Sequence, residues 1–123
     1  MEMDLQIRVR EHNGVPVIEL TGEVDAYTCS RFRESMIEVI EDGGTSLIVS
    51  MKNVEYIDSS GLGTLVGGLK RVSERSGKIA IVCKNSQIRK VFEITGLERV
   101  FPLYENEMEA VAGLNMPTVS FQK

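Results

Sequence analysis

Two short and almost entirely apolar runs, residues 47–51 and 79–83, constrain the fold of this chain more than any other feature. A strand that is buried on both faces carries such a continuous apolar run, which is typical of the centre of a parallel sheet. Each run precedes apolar residues at helical spacing, namely Leu62, Leu65, Val66, Leu69 and Val72 after the first and Ile88, Val91 and Phe92 after the second. Strands that alternate with helices in this way predict an α/β fold with a mostly parallel sheet.

The N-terminal segment predicts an antiparallel hairpin at the edge of this sheet. Leu5, Ile7 and Val9 alternate with polar residues, which indicates a strand with one buried face. Asn13-Gly14 suits the positive dihedral angles of a tight hairpin turn. We therefore expect residues 15–21 to form the return strand.

A first helix is predicted after the hairpin. Gly22-Glu23-Val24-Asp25 is expected to break the return strand, and either Asp25 or Thr28 is placed to cap the helix that follows. The apolar stripe of that helix consists of Cys29, Phe32, Met36, Val39 and Ile40. The loop at residues 22–25 then lies at the carboxyl end of a strand, where functional loops of α/β sheets tend to lie.

The C-terminal part adds a short strand and a last helix. Residues 100–104 are predicted to form a strand, and Asn106 with Glu109 resembles a capping box that opens a fourth helix. We expect one domain over residues 1–114. Residues 115–123 lose the apolar period and contain a proline, so we expect a disordered tail there.

Bulk properties exclude several classes of function. The net charge of −4 argues against nucleic-acid binding, which needs a basic face. No apolar run approaches the roughly 20 residues of a membrane span. Cys29 and Cys83 each lie in an apolar pattern, and we interpret both as buried free thiols, consistent with a reducing cytoplasm. We expect a cytoplasmic monomer without a membrane contact.

The turn between the first apolar run and its helix carries the candidate chemistry. Asp58-Ser59-Ser60-Gly61 places two hydroxyls and a carboxylate at a predicted helix start. The free N–H groups and the positive dipole end of a helix favour an anion or a phosphoryl group there. The serines are candidates for a nucleophile, a ligand or a substrate.

Catalysis by these serines is disfavoured by the rest of the sequence. A serine nucleophile needs a base within hydrogen-bond reach, and the sole histidine, His12, lies in the predicted hairpin at the opposite end of the sheet. The spacing also differs from the Gly-x-Ser-x-Gly elbow. Serine hydrolase chemistry is therefore not predicted.

Ligand binding has weak support in the sequence. Glycines follow the serines at positions 61, 63, 67 and 68, but no lysine is placed to hold phosphates and no Gly-x-Gly-x-x-Gly pattern is complete. We interpret Gly67 and Gly68 as residues that allow close packing or leave a flat surface. Glu23, Asp25 and Asp58 lack the spacing of a metal site, so neither a metal nor a cofactor is predicted.

The remaining interpretation is that Ser59 is a substrate. Phosphorylation adds about −1.5 to −2 charges at neutral pH. A partner that docks on the helix start then meets a dianion, and burying it without a matching cation costs several kcal/mol. Asp25 and Ser60 remain open to a purely structural role as helix caps.

Three stretches resemble one known family, and the resemblance covers roughly residues 4–112. Residues 58–63, Asp-Ser-Ser-Gly-Leu-Gly, resemble the phosphorylation motif of the bacterial anti-sigma factor antagonists, whose fold is the STAS domain. Residues 22–25 resemble the first loop of that family, and residues 92–97 resemble the end of its third helix. The resemblance implies a mixed sheet of four to five strands, with an antiparallel N-terminal hairpin and otherwise mostly parallel strands, packed with four helices.

The resemblance also implies a switch between binding partners. In the family, the unphosphorylated antagonist binds an anti-sigma factor that is a serine kinase of the histidine-kinase-like ATPase fold, and the sigma factor is released. The kinase uses ATP and magnesium to phosphorylate the serine after the motif aspartate, which is Ser59 here. A metal-dependent serine phosphatase resets the protein. Family members regulate transcription, for example in stress responses or sporulation.

By the same match, certain residues are expected around Ser59. Asp25 and Asp58 are expected beside it, Ser60 at the helix cap, and Gly61, Leu62 and Gly63 on the partner-binding face. Two other functions stay open, namely a STAS accessory subunit of a transporter or signalling assembly, and a small nucleotide-binding module that uses the helix start as a phosphate seat.

Overall fold

The computed structural model describes residues 4–115 and contains one mixed sheet with helices on both faces. Its elements are β1 (Leu5–His12), β2 (Val15–Val24), α1 (Cys29–Glu41), β3 (Leu47–Ile57), α2 (Ser59–Ser73), β4 (Ile79–Val82), α3 (Ser86–Thr95), β5 (Leu103–Tyr104) and α4 (Glu107–Asn115). The strand order is β1-β2-β3-β4-β5. Strands β1 and β2 are antiparallel, and the other pairs are parallel. The predicted fold class is confirmed, while the predicted tail lies, apart from Asn115, outside the described residues.

The hairpin between β1 and β2 forms as its turn sequence predicts. Asn13 and Gly14 have φ of 52° and 83°, and the flanking His12 and Val15 are paired. These dihedral angles match the twist of the two strands. The turn therefore places His12 at the amino end of β2.

The core is divided between the two faces of the sheet. Helices α1, α2 and α3 cover one face, where Phe32, Leu65 and Phe92 are fully buried. Helix α4 covers part of the other face, where Ala110 and Val111 pack with apolar residues of β2, β3 and β4. The residues that β2 and β3 contribute to this second cluster lie in the first half of each strand. On this face of the sheet, α4 therefore leaves the carboxyl halves of β2 and β3 uncovered.

An ion-pair cluster fastens α4 to the hairpin. The Arg10 guanidinium donates to both carboxylate oxygens of Glu107 at 2.7 and 2.8 Å. His12 Nδ1 lies 2.5 Å from the same carboxylate. These hydrogen bonds lower the pKa of Glu107 from its ordinary value to about 2.

Two strands are longer than the sequence pattern predicts. Strand β2 does not break at Gly22 but continues to Val24, with a register shift against β3 on either side of Thr21-Gly22. Strand β3 continues beyond residue 51 to Ile57. The register shifts accommodate Gly22 within the strand, where its φ is 119°. Its lack of a β-carbon leaves room for the Asp4 carbonyl.

The expectation of two buried thiols is half right. Both cysteines are free, and Cys83 is fully buried. Cys29 is only half-buried, because it lies at the first position of α1, where the helix end is open to solvent.

Candidate functional site

Asp58 organises the start of α2. Its backbone is extended, with φ of −114° and ψ of −171°, and its Oδ1 accepts from the Ser60 N–H at 2.9 Å and from the Gly61 N–H at 3.2 Å. A side-chain oxygen at this position satisfies N–H groups that have no partner within the helix. Asp58 is thus the N-cap, and the expectation that Ser60 forms the cap is wrong, because β3 extends up to Ile57 and α2 begins at Ser59.

The two serines of the motif differ in exposure. Ser59 is exposed at the first position of α2, whereas Ser60 is half-buried at the second. The Ser60 carbonyl accepts the Thr64 hydroxyl at 3.0 Å, and Thr64 is buried. Residue exposure therefore distinguishes two serines that are adjacent in sequence and chemically alike.

The loop after β2 is held by a closed set of hydrogen bonds. Asp25 Oδ1 accepts from the N–H groups of Tyr27 at 2.9 Å and of Thr28 at 3.1 Å. The buried Thr28 hydroxyl donates to the Glu23 carbonyl at 2.9 Å and accepts from the Asp25 N–H at 3.0 Å. Thr28 occupies the N-cap position of α1 without a side-chain cap, and Asp25 instead closes the turn before it. We name residues 25–28 the Asp25 loop.

The Asp25 loop and the start of α2 are joined at their base. The Asp58 N–H donates to the Val24 carbonyl at 3.1 Å. A β-carbon on Gly61 would lie 2.7 Å from Val24 Cγ1 and 2.8 Å from Ile57 Cγ1. Gly61 is buried and faces inward, so its expected place on the partner-binding face is corrected: its lack of a side chain lets α2 pack on the ends of β2 and β3.

The glycines of α2 divide between two faces of the helix. Gly63 and Gly67 are exposed, and a β-carbon on either would meet no atom within 4 Å. Gly68 is buried, and a β-carbon there would lie 2.7 Å from Met36 Sδ of α1. Leu62 is half-buried against the core. Gly67 thus leaves an open surface and Gly68 allows close packing, which are the two roles considered for these glycines.

The surface around Ser59 lies apart from three cavities of the molecule and from His12. Cavities of about 620, 540 and 140 Å³ occur elsewhere in the molecule, and none of the three is lined by Ser59 or the Asp25 loop. His12 lies at the amino end of β2 and contacts Glu107, whereas Ser59 follows the carboxyl end of β3. Within residues 4–115, no three histidine, cysteine or carboxylate side chains lie close enough to hold a metal ion. Ser59 thus lies on an exposed part of the surface, which is accessible to a protein partner.

Three residues of this surface have roles that the sequence did not predict. The Thr28 hydroxyl donates to a carbonyl of β2 and so holds the Asp25 loop against that strand. The sequence signal for this role was a polar side chain just before the apolar stripe of α1. Tyr27 and Tyr56 expose 91% and 50% of their surface at this end of the sheet. No sequence pattern predicted their exposure, because tyrosine occurs in cores and on surfaces alike.

Known proteins match nearly the whole of the chain. The family model described as "STAS domain" matches residues 6–110. The chain is 33% identical over 115 residues to the anti-sigma F factor antagonist of Paenibacillus polymyxa, a match that covers 93% of this chain and 98% of the relative. It is 32% identical over 103 residues to the anti-sigma-B factor antagonist of Staphylococcus aureus, covering 84% and 95%.

Structural similarity agrees with these matches. A crystal structure of an anti-sigma factor antagonist from Mycobacterium paratuberculosis superposes with a TM-score of 0.85 at 26% identity, covering 92% of this chain and 96% of that one. No helix in the part of the chain described by the structure has the length and apolar character needed to span a membrane. The chain belongs to the STAS domain family and, within it, to the anti-sigma factor antagonists.

Proposed function

We propose that this protein is a phosphorylation-gated antagonist that binds an anti-sigma factor kinase through the surface around Ser59. The observation that carries the proposal is the exposed Ser59 hydroxyl at the first position of α2, beside a half-buried Ser60. The unphosphorylated form binds the kinase and frees the sigma factor. Phosphorylation of Ser59 ends this binding.

The helix start accommodates a phosphoryl group in the free protein. Negative charge near a helix N-terminus is stabilised by about 0.3–1 kcal/mol. Asp58 already uses its carboxylate on two N–H groups of the first turn, so a phosphoryl group on Ser59 adds charge to a site that is already acidic. Glu23 lies near the end of β2, and Asp25 lies on the Asp25 loop that follows it. The modification therefore changes the surface potential strongly while the fold stays as it is.

The same charge acts differently in a complex. A partner that covers Ser59 removes water from a group that carries about −1.5 to −2 charges. Without a matching cation, that desolvation costs several kcal/mol, and each 1.4 kcal/mol is a factor of about ten in affinity. Release of the partner follows from this cost.

The chemistry of the transfer belongs to the partner. ATP and magnesium bind the kinase, which has the histidine-kinase-like ATPase fold, and this chain supplies the hydroxyl and is not an enzyme. A metal-dependent serine phosphatase restores the free hydroxyl. The protein acts as a cytoplasmic monomer.

Phosphosite mapping with matched serine variants tests the proposal. Purified protein is incubated with the anti-sigma factor kinase of the source organism and ATP, and the modified residue is located by mass spectrometry. Wild type and Ser60→Ala are expected to incorporate one phosphate, and Ser59→Ala none. Incorporation at Ser60, or phosphate on Ser59→Ala, contradicts the proposal.

A further inference from the structure

Tyr27 is the most exposed of the large apolar side chains in residues 4–115. It shows 91% of its surface to solvent, at the tip of the Asp25 loop. A single exposed apolar side chain is ordinary on a protein surface, so exposure by itself assigns no role. The backbone that carries Tyr27 provides the second observation.

That backbone is fixed on both sides of Tyr27. The Tyr27 N–H donates to Asp25 Oδ1 at 2.9 Å, and the Cys29 N–H donates to the Asp25 carbonyl at 2.9 Å. Thr28, the next residue, is 6% exposed and hydrogen-bonds the end of β2. The loop therefore holds an unpacked aromatic ring on an ordered backbone. Because this backbone is already ordered, binding through the ring costs little backbone conformational entropy.

Tyr27 also lies within reach of a partner whose interface has the standard size and is centred on the start of α2. Tyr27 is three positions after Val24, which limits their Cα separation to about 11 Å. Val24 accepts the Asp58 N–H, and hydrogen-bonded neighbours of this kind lie about 5 Å apart. The Cα atoms of Tyr27 and Asp58 are thus at most about 16 Å apart. A standard interface buries about 800 Å² per partner, a disc with a radius of about 16 Å.

We propose that Tyr27 is the aromatic anchor by which the unphosphorylated protein docks on its anti-sigma factor kinase, and that its ring enters an apolar pocket of that kinase. The inference rests on the proposed function and goes beyond it, because it assigns the binding free energy to a residue outside the serine motif. Binding energy concentrates in a few side chains, among which tyrosine is enriched. Phosphorylation of Ser59 then controls whether the complex forms, and Tyr27 supplies its binding free energy.

The test compares four variants for binding to the purified anti-sigma factor kinase of the source organism, by calorimetry or surface plasmon resonance. Tyr27→Ala is expected to weaken binding about 30-fold or more, the range of an interface hot spot. Tyr27→Phe keeps the ring and is expected to stay within about threefold of wild type. Ile94→Ala is the matched control, since Ile94 is 78% exposed on the last turn of α3, a helix that leads away from the carboxyl end of β4. Ser59→Asp serves as the control for the proposed function.

Each outcome decides the role of Tyr27, the proposed function, or both. Strong loss with Tyr27→Ala and Ser59→Asp, and none with Ile94→Ala, supports both. Loss with Ser59→Asp alone overturns the role of Tyr27 and leaves the proposed function standing. If no variant weakens binding, both claims fail. An equal loss for Ile94→Ala overturns the anchor, because the effect is then not specific to this loop. Circular dichroism of Tyr27→Ala checks the fold. If that variant does not fold, Tyr27→Gln takes its place, because it removes the ring and keeps a side chain suited to an exposed position: wild-type binding of folded Tyr27→Gln overturns the anchor, and loss of binding supports it.

Discussion

The N-cap assigned to Asp58 predicts the stability of two substitutions at that position. Asp58→Ala removes the acceptor of the Ser60 and Gly61 N–H groups, at 2.9 and 3.2 Å, from a half-buried site. Loss of an N-cap costs about 0.5–2 kcal/mol, and loss of an anion near the helix start costs about 0.3–1 kcal/mol. Because the second hydrogen bond is long, we expect about 1–2 kcal/mol in total.

Asp58→Asn is the matched control, because asparagine caps helices about as well as aspartate but carries no charge. It loses only the anion–dipole interaction, so we expect about 0.3–1 kcal/mol of destabilisation. Stability should thus fall in the order wild type, Asp58→Asn, Asp58→Ala. For a domain of this size, each kcal/mol lowers Tm by roughly 3–5 °C.

Urea unfolding measures these differences, with the slope m expected to stay constant across the three proteins. Two results would refute the reasoning. If Asp58→Ala lies within about 0.3 kcal/mol of wild type, the carboxylate does not cap α2. If Asp58→Asn is as unstable as Asp58→Ala, the negative charge accounts for the whole effect and the cap geometry for none of it.

Three further predictions follow from packing and titration. Gly61→Ala should cost about 1–3 kcal/mol in urea unfolding, since its β-carbon would lie 2.7 Å from Val24 Cγ1 and 2.8 Å from Ile57 Cγ1. Gly63→Ala has open space around its β-carbon and should gain about 0.5–1 kcal/mol, so equal effects of the two substitutions would contradict the packing. Hydrogen bonds from Arg10 lower the pKa of Glu107 from 4.5 to about 2, so their contribution is complete above pH 4.5 and lost as the pH falls toward 2. Glu107→Gln should therefore be less stable than wild type at pH 7, by about 1 kcal/mol given the partial exposure of the pair. The free energies of unfolding of the two proteins should converge near pH 2, and a difference that stays constant with pH would count against the ion pair. Burial raises the pKa of the Cys83 thiol, so it should react with a thiol reagent at pH 8 about tenfold or more slowly in the native protein than in urea, and equal rates would contradict its burial.

The sequence predicted the elements of this fold because their apolar periods are strong. The continuous run at 47–51 marks a strand buried on both faces, and Asn13-Gly14 adopts the positive φ that its turn requires. The ends of β2 and β3 were missed for a physical reason. Lys52, Asn53 and Glu55 are strand residues, yet they are exposed where α4 no longer covers the sheet. A sequence pattern does not show which half of a strand face a later helix will cover.

The candidate site was predicted in its residues but not in its contacts. Asp58, Ser59 and Ser60 are three adjacent polar residues, and each is a plausible cap from its chemistry. The length of β3 decides among them, and that length was underestimated. The exposure of Tyr27 depends on the path of the Asp25 loop, which is set by hydrogen bonds between residues 23 and 28. Such contacts are tertiary, and no local period encodes them.

The affinity of the kinase for the two forms of this protein tests the central claim most directly. The purified protein, unphosphorylated or carrying phosphoserine at position 59, is titrated into the anti-sigma factor kinase of the source organism, and Kd is measured for each form. The account predicts a Kd at least about 100-fold higher for the phosphorylated form, which corresponds to roughly 2.7 kcal/mol of lost binding free energy. Equal Kd values for the two forms would contradict it.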